Sequence, residues 1–243
     1  MEILKVTESE HNVSNIVYLY GGLSEVLNGA ARNFSAYNEG KRSVLEIEAA
    51  GGYGELIRGE IEDKISDVIA VNYKYNFFVG QVHPLGLNEI QRGILISALI
   101  SADIDEDKKY IVKKVSSENE YAVDGLFNFR LSALKRKWEN VLSYIPKTFS
   151  VEQLKDFIAF IMEEKAGTRV FADKGKVYDV HFRNMRRTLL TPRVYGDDKL
   201  LNEIILSGVG EAELLSPVSE AEEGYLKEYL GDKIILGKSY FCN

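Results

Sequence analysis

The sequence predicts an α+β protein, with a central helical layer, short strands near the N-terminus and a C-terminal β-hairpin region. Three observations carry this. Apolar residues recur at helical spacing through the middle third, brief alternating stretches mark both ends, and only 4 prolines punctuate 243 residues. In chain order, Ile3, Leu4 and Val6 predict a first strand and Val44 to Ile47 a second. Between them, Ile16 to Phe34 has helical spacing, although Gly21, Gly22 and Gly29 would each cost up to about 1 kcal/mol in a helix interior. Tyr53 to Val71 predicts a helix with Leu56, Ile61, Ile65, Val68 and Ile69 on its apolar side, followed by a β-rich piece from Tyr73 to Val82.

Asn88 can cap a helix running to Ser101, with Ile90, Ile94, Leu95, Ala98 and Leu99 at helical spacing. Asp105 can cap the next, Glu106 to Ser116. From Phe127 the apolar positions step by four and three through Leu131, Leu134, Trp138, Val141 and Ile145, which predicts one helix that Pro146 ends. Ser150 and Gln153 form a capping box, with Phe149 and Leu154 as a hydrophobic staple, and open a helix over Val151 to Lys165. Arg169 to Ala172, the turn Asp173-Lys174-Gly175, and Lys176 to Phe182 predict a hairpin with Tyr178, Val180 and Phe182 facing inward. Ser219 with Glu222 opens a last helix carrying Tyr225, Leu226 and Tyr229, and Lys233 to Leu236 a last strand. These elements group into an N-terminal α+β region (1–85), a helical region (86–166) and a C-terminal α+β region (167–243), compatible with one continuous domain.

With 45% hydrophobic and 28% charged residues, the chain has the composition of an ordinary globular protein. The single cysteine, Cys242, has no intramolecular partner, which fits a reducing cytoplasm. Met1 to Thr7 lacks the basic region and apolar stretch of a secretory signal, so secretion is not expected. The run Ile94 to Ile100 is far shorter than the roughly 20 residues a membrane span needs, so no membrane partner is expected. A formal net charge of −7 argues against nucleic acid, leaving a local basic patch as its only route.

No residue set predicts catalysis. Asp103, Asp105 and Asp107 alternate like calcium-loop ligands, but Lys108 and Lys114 stand where that loop needs glycine and its bidentate glutamate, so helix capping is the expectation. Gly51, Gly52 and Gly54 match neither phosphate-loop spacing and read as a turn. His11, His83 and His181 lack neighbours at metal-ligand spacing, so no metal site or cofactor is expected. Asp179 and His181 on one strand face read as a solvated pair. The run Lys135-Arg136-Lys137 falls mostly off the apolar stripe and reads as the wet side of its helix.

One cluster keeps a functional reading. His181, Arg183, Arg186, Arg187 and Arg193 concentrate guanidinium groups in an acidic chain, and arginine forks grip phosphate or carboxylate bidentately. The competing reading is a solvated basic face paired with the chain's own acids. Arg130 lies at the edge of the Phe127 to Trp138 sector, with Phe129 on nearly the opposite side. It is therefore expected to be partly desolvated and to serve a structural polar role.

The segment Asp124-Gly125-Leu126-Phe127-Asn128-Phe129-Arg130-Leu131 resembles the "GF-x-NFRL" signature of the YtxC-like sporulation proteins of spore-forming Gram-positive bacteria. The resemblance spans about residues 90–182: the signature opens a long helix, a second helix follows, and a β-rich segment comes next. The family's clustered C-terminal cysteines are not matched. The resemblance implies a cytoplasmic bacterial protein and supplies no catalytic residues. The expectation is a non-enzymatic protein that binds another macromolecule, with another protein as the partner considered; the alternative is an enzyme or sensor for a phosphorylated small molecule that uses the arginine cluster.

Overall fold

The computed structural model describes residues 2–115, 119–192, 194 and 196–237; Ser116, Arg193 and Cys242 lie outside them. The fold is α+β, with two four-stranded sheets among the described residues. In chain order the elements are β1 (Glu2–Ser9), α1 (Val13–Val26), β2 (Ala31–Glu39), β3 (Arg42–Ala49), α2 (Gly54–Asp67), α3 (Lys74–Val79), α4 (Glu89–Ala102), α5 (Ile104–Val112) and β4 (Glu120–Ala122). There follow α6 (Val123–Arg130), α7 (Ser132–Ser143), α8 (Val151–Glu164), β5 (Arg169–Asp173), β6 (Lys176–Tyr178), α9 (Lys199–Leu206), β7 (Glu211–Leu214), α10 (Glu220–Leu230) and β8 (Ile234–Leu236). The described residues form two compact units, one from Met1–Lys74 with Asp105–Asn140, the other from Tyr75–Ile104 with Val141–Asn243.

In the first unit the sheet order is β2-β3-β1-β4. β3 pairs antiparallel with both β1 and β2, so β1 and β2 run the same way and need the crossover that α1 provides. Period-two alternation turns Leu4 and Val6 of β1 and Leu45, Ile47 and Ala49 of β3 into the core, against Ile16, Leu19 and Leu23 of α1 and Ile57, Ile61 and Ile65 of α2. Gly22 lies inside α1, where a Cβ would come within 3.3 Å of the Lys64 side chain on α2. The helical spacing stops at Val26, and Phe34 belongs to β2, where its ring meets Tyr20 edge-on.

α2 runs through a π-helical segment, Val68–Tyr73, directly into α3, so the expected β-rich piece from Tyr73 is helical up to Val79. Burial on every side of Val68 to Val71 overrides their β propensity. The segment carries Asn72 and Tyr73 into a buried polar seam. The Glu8 carboxylate, fully buried at the end of β1, accepts from the Tyr73 hydroxyl at 2.9 Å and from Asn15 Nδ2 at 3.1 Å, and Asn15 also donates to Asn72 at 3.3 Å. Burial and the neighbouring Glu8 charge push the Tyr73 phenol far up. Next along the chain, Lys74 Nζ lies 2.8 Å from Asp107 Oδ2, which also accepts the Trp138 indole N–H at 2.9 Å, while Lys137 holds Oδ1 at 2.8 Å. Trp138 is fully buried, as its place on the stripe requires.

The long helix expected from Phe127 is two helices. Leu131 leaves helical geometry (φ −113°, ψ 29°), and its carbonyl accepts the Lys135 N–H to begin α7. Arg130, expected to be partly desolvated, is exposed at the end of α6, and Phe129 is 86% exposed. α5 starts at Ile104, which places Asp105 inside the first turn rather than at the cap, where its charge still suits the helix dipole.

In the second unit the sheet order is β6-β5-β7-β8. The β5–β6 hairpin turns through Lys174 and Gly175, both at positive φ (49° and 72°), the two-residue geometry that matches strand twist. β5, β7 and β8 are parallel, with α9 preceding β7 and α10 joining β7 to β8. Val170, Ala172, Val177, Ala212 and Leu214 are buried, as are Leu200, Leu201 and Ile204 of α9, Leu226 and Leu230 of α10, and a continuous stretch of α4 from Ile94 to Ser101. The capping boxes at Asn88, Ser150 and Ser219 are all formed. The inward side of the hairpin differs from the expectation: β6 ends at Tyr178, and Val180 and Phe182 are 59% and 65% exposed. Asp179 Oδ1 accepts the N–H groups of His181 and Arg183 at 2.8 and 2.9 Å, an Asx turn that stops the strand, and Phe182 stacks outside on Phe171.

Candidate functional site

The structure disperses the arginine cluster read from the sequence. His181 and Arg183 are exposed in the loop tied by Asp179. Arg187 is buried: its Nη1 donates to the Leu206 carbonyl at 2.7 Å, at the C-terminal end of α9, where the helix dipole favours a cation. Its N–H and that of Thr188 are received by the buried Glu203 carboxylate, which also takes the Thr188 hydroxyl. Arg186, half-buried with φ 54°, lines a cleft of about 290 Å³ together with Lys176, Asn184, Thr188, Lys199 and Glu203. His181, Arg183 and Arg187 are not among its walls. At the start of α9, burial pushes the Asp198 carboxyl up while Asn202 donates to it at 3.0 Å.

The other candidates are occupied by the protein itself. Glu2 sits against Gly54 at the first turn of α2, leaving no room there for a Cβ, and pairs with Arg58. Asp107 belongs to the Lys74–Lys137–Trp138 contacts, and among the described residues no group of three or more His, Cys, Asp or Glu side chains could hold a metal. His83 Nδ1 lies 2.9 Å from Arg92. Arg136 is exposed, as expected of the wet side of its helix, whereas Lys135 and Lys137 are half-buried: Lys135 stands over the Phe127 ring and Lys137 reaches Glu106 and Asp107. Asp124, in the family-like segment, is gripped by Arg42 at 2.6 and 3.1 Å, which holds its carboxyl below the usual range.

A second concavity in the same unit, about 430 Å³, has a different chemistry. Leu95, Leu99, Ala102 and Asp103 line one wall, at the i, i+4, i+7 and i+8 spacing that puts them on one face of α4 and its end. Val141, Tyr144, Ile145, Pro146 and Phe149 form the chain that passes over it, and Phe157 of α8 closes the far side. Asp103 is the one charged group of this wall, and the Tyr144 ring is 84% exposed. α8 also carries the exposed acids Glu152, Asp156, Glu163 and Glu164. The sequence marks these apolar residues as core. The signal in the sequence is that apolar residues persist past the end of α7, at Tyr144-Ile145-Pro146 and again at Phe149. Among the described residues no helix is long and apolar enough to cross a membrane. Compared with protein-family models, characterised proteins and solved structures, the chain matches none.

Proposed function

We propose that this chain is a non-enzymatic cytoplasmic protein that binds a second protein, receiving a basic amphipathic helix in the groove walled by Leu95, Leu99 and Phe157. The observation that supports this is the groove's wall, apolar but for Asp103. Water in such a groove finds few hydrogen-bonding partners, and apolar side chains that displace it gain about 25 cal/mol per Å² covered. A helix presenting apolar residues at i, i+4 and i+7 matches the spacing of the α4 wall. Asp103 favours a basic residue on its flank, and the chain's net charge of −7 disfavours nucleic acid. On the resemblance to YtxC-like proteins, the partner belongs to a sporulating Gram-positive cell.

A photo-crosslinking benzoyl-phenylalanine at position 144, expressed in the native cell, tests the reading. The expected result is one dominant protein adduct that Phe157→Lys abolishes while leaving the circular dichroism spectrum unchanged. No adduct, or one that survives Phe157→Lys in a folded protein, overturns it.

A further inference from the structure

The cleft beside β6 is unrelated to the apolar groove and carries its own chemistry. Lys176 opens β6, Arg186 sits in the segment that follows, and Lys199 opens α9; three separate stretches of chain bring cations to one concavity. In a chain of net charge −7, carboxylates are the abundant partners for a lysine. Yet the Lys176 and Lys199 side chains are exposed and take no hydrogen-bond or ion-pair partner among the described residues. The acid in the cleft wall, Glu203, is engaged by two backbone N–H groups and the Thr188 hydroxyl, which draw its charge toward the wall. Arg186 has φ 54°, a backbone geometry that favours glycine, so the turn alone does not call for an arginine. Arg186 lines the cleft beside the two lysines.

We infer that this cleft binds a dianionic phosphate group, either free phosphate or the phosphate of a small metabolite. A guanidinium fork and two ammonium groups suit an oxyanion with several acceptor oxygens and two charges, and Asn184 supplies a neutral amide donor. A carboxylate would use the fork alone. The volume, about 290 Å³, lies at the small end of ligand pockets and suits a phosphate with a short organic substituent.

Calorimetric titration at low salt with inorganic phosphate, and separately with glycerol 3-phosphate, tests the site. Saturable binding of at least one probe is expected, and the tighter of the two identifies the source. Lys176→Ala with Lys199→Ala, both exposed positions, is expected to weaken binding at least about tenfold. Arg186→Gly, which suits the backbone, is expected to lose binding, and Arg183→Ala to leave binding unchanged. No saturable binding of either probe, binding undiminished in the lysine double variant, or equal binding of acetate overturns the inference.

Discussion

Replacing Asp107 by asparagine is expected to destabilise the first unit by about 3 to 5 kcal/mol, and Lys74→Met by only about 1 to 2 kcal/mol. The asymmetry follows from who remains after each change. Asp107 receives three donors, Lys74 Nζ and Lys137 Nζ at 2.8 Å and the Trp138 indole N–H at 2.9 Å. The Lys74 and Asp107 side chains are 1% and 0% exposed, whereas Lys137 is 36% exposed. Removing the lysine leaves the carboxylate with one ammonium and one indole N–H. The loss is a hydrogen bond to a charged group, worth about 1.5 to 3 kcal/mol, offset in part because an ammonium no longer has to be desolvated. Neutralising the aspartate leaves the Lys74 ammonium buried without the carboxylate it faces, and breaking a buried pair from that side carries the larger cost.

Urea unfolding followed by Trp138 emission is the suitable assay, since this is the single tryptophan of the chain and belongs to the first unit. Circular dichroism on the same samples guards against a direct effect of Asp107→Asn on the indole. Equal losses in the two variants, or a larger loss in Lys74→Met, would refute the reasoning. The double variant is expected to be less destabilised than the sum of the two by about 1 to 3 kcal/mol, because removing the lysine also removes the stranded charge.

Two further outcomes are expected. The Tyr121 phenol, 2% exposed and donating to Glu62 at 3.3 Å, is pushed up from 10.0 to about 12, first by burial and then by the Glu62 charge. Because the folded value lies above the unfolded one, the stability held by the neutral phenol is full below pH 10.0 and is lost as pH rises toward about 12. Thermal midpoints of Tyr121→Phe and the parent should therefore converge over that window, and parallel curves would contradict it. Arg130→Met should change stability by no more than about 0.5 kcal/mol by chemical denaturation, since interactions of an exposed arginine are screened; a loss of several kcal/mol would restore the structural role that helical periodicity suggests.

What the sequence reveals of this fold is what is decided within a few residues. The boxes Asn88/Gln91, Ser150/Gln153 and Ser219/Glu222 close over three positions each, and all are formed. The Lys174-Gly175 turn is equally local. β2 shows the opposite case. Ala31 to Glu39 has no fully buried residue, hence no alternation to read, and exists because β3 offers it a ladder from Ala49 to Arg42. The segment after Tyr73 has strand-like composition but is wound into a helix by burial around Tyr75 and Phe78. At Leu131 a single residue leaving helical geometry splits the expected long helix in two, and Arg130, last in the first of them, is exposed.

The functional surfaces were less legible because periodicity reports that a side chain is apolar or charged, not what it meets. Leu95 and Leu99 read as core and are buried, and only tertiary placement shows that they also line a groove with Phe157. Cations divide the same way. Lys74, Lys108 and Lys137 each lie within 3.0 Å of an aspartate, and Arg187, the most arginine-rich stretch notwithstanding, is turned into a helix end. Lys176 and Lys199 look no different in the sequence, 23 positions apart and in unremarked surroundings. Their distinction is that the β6 hairpin and α9 bring them to one cleft while the nearest wall carboxylate, Glu203, is held by backbone donors. Where an acidic protein has carboxylates to spare, lysines that share a concavity without taking one are better explained by an anion that arrives from outside than by the fold.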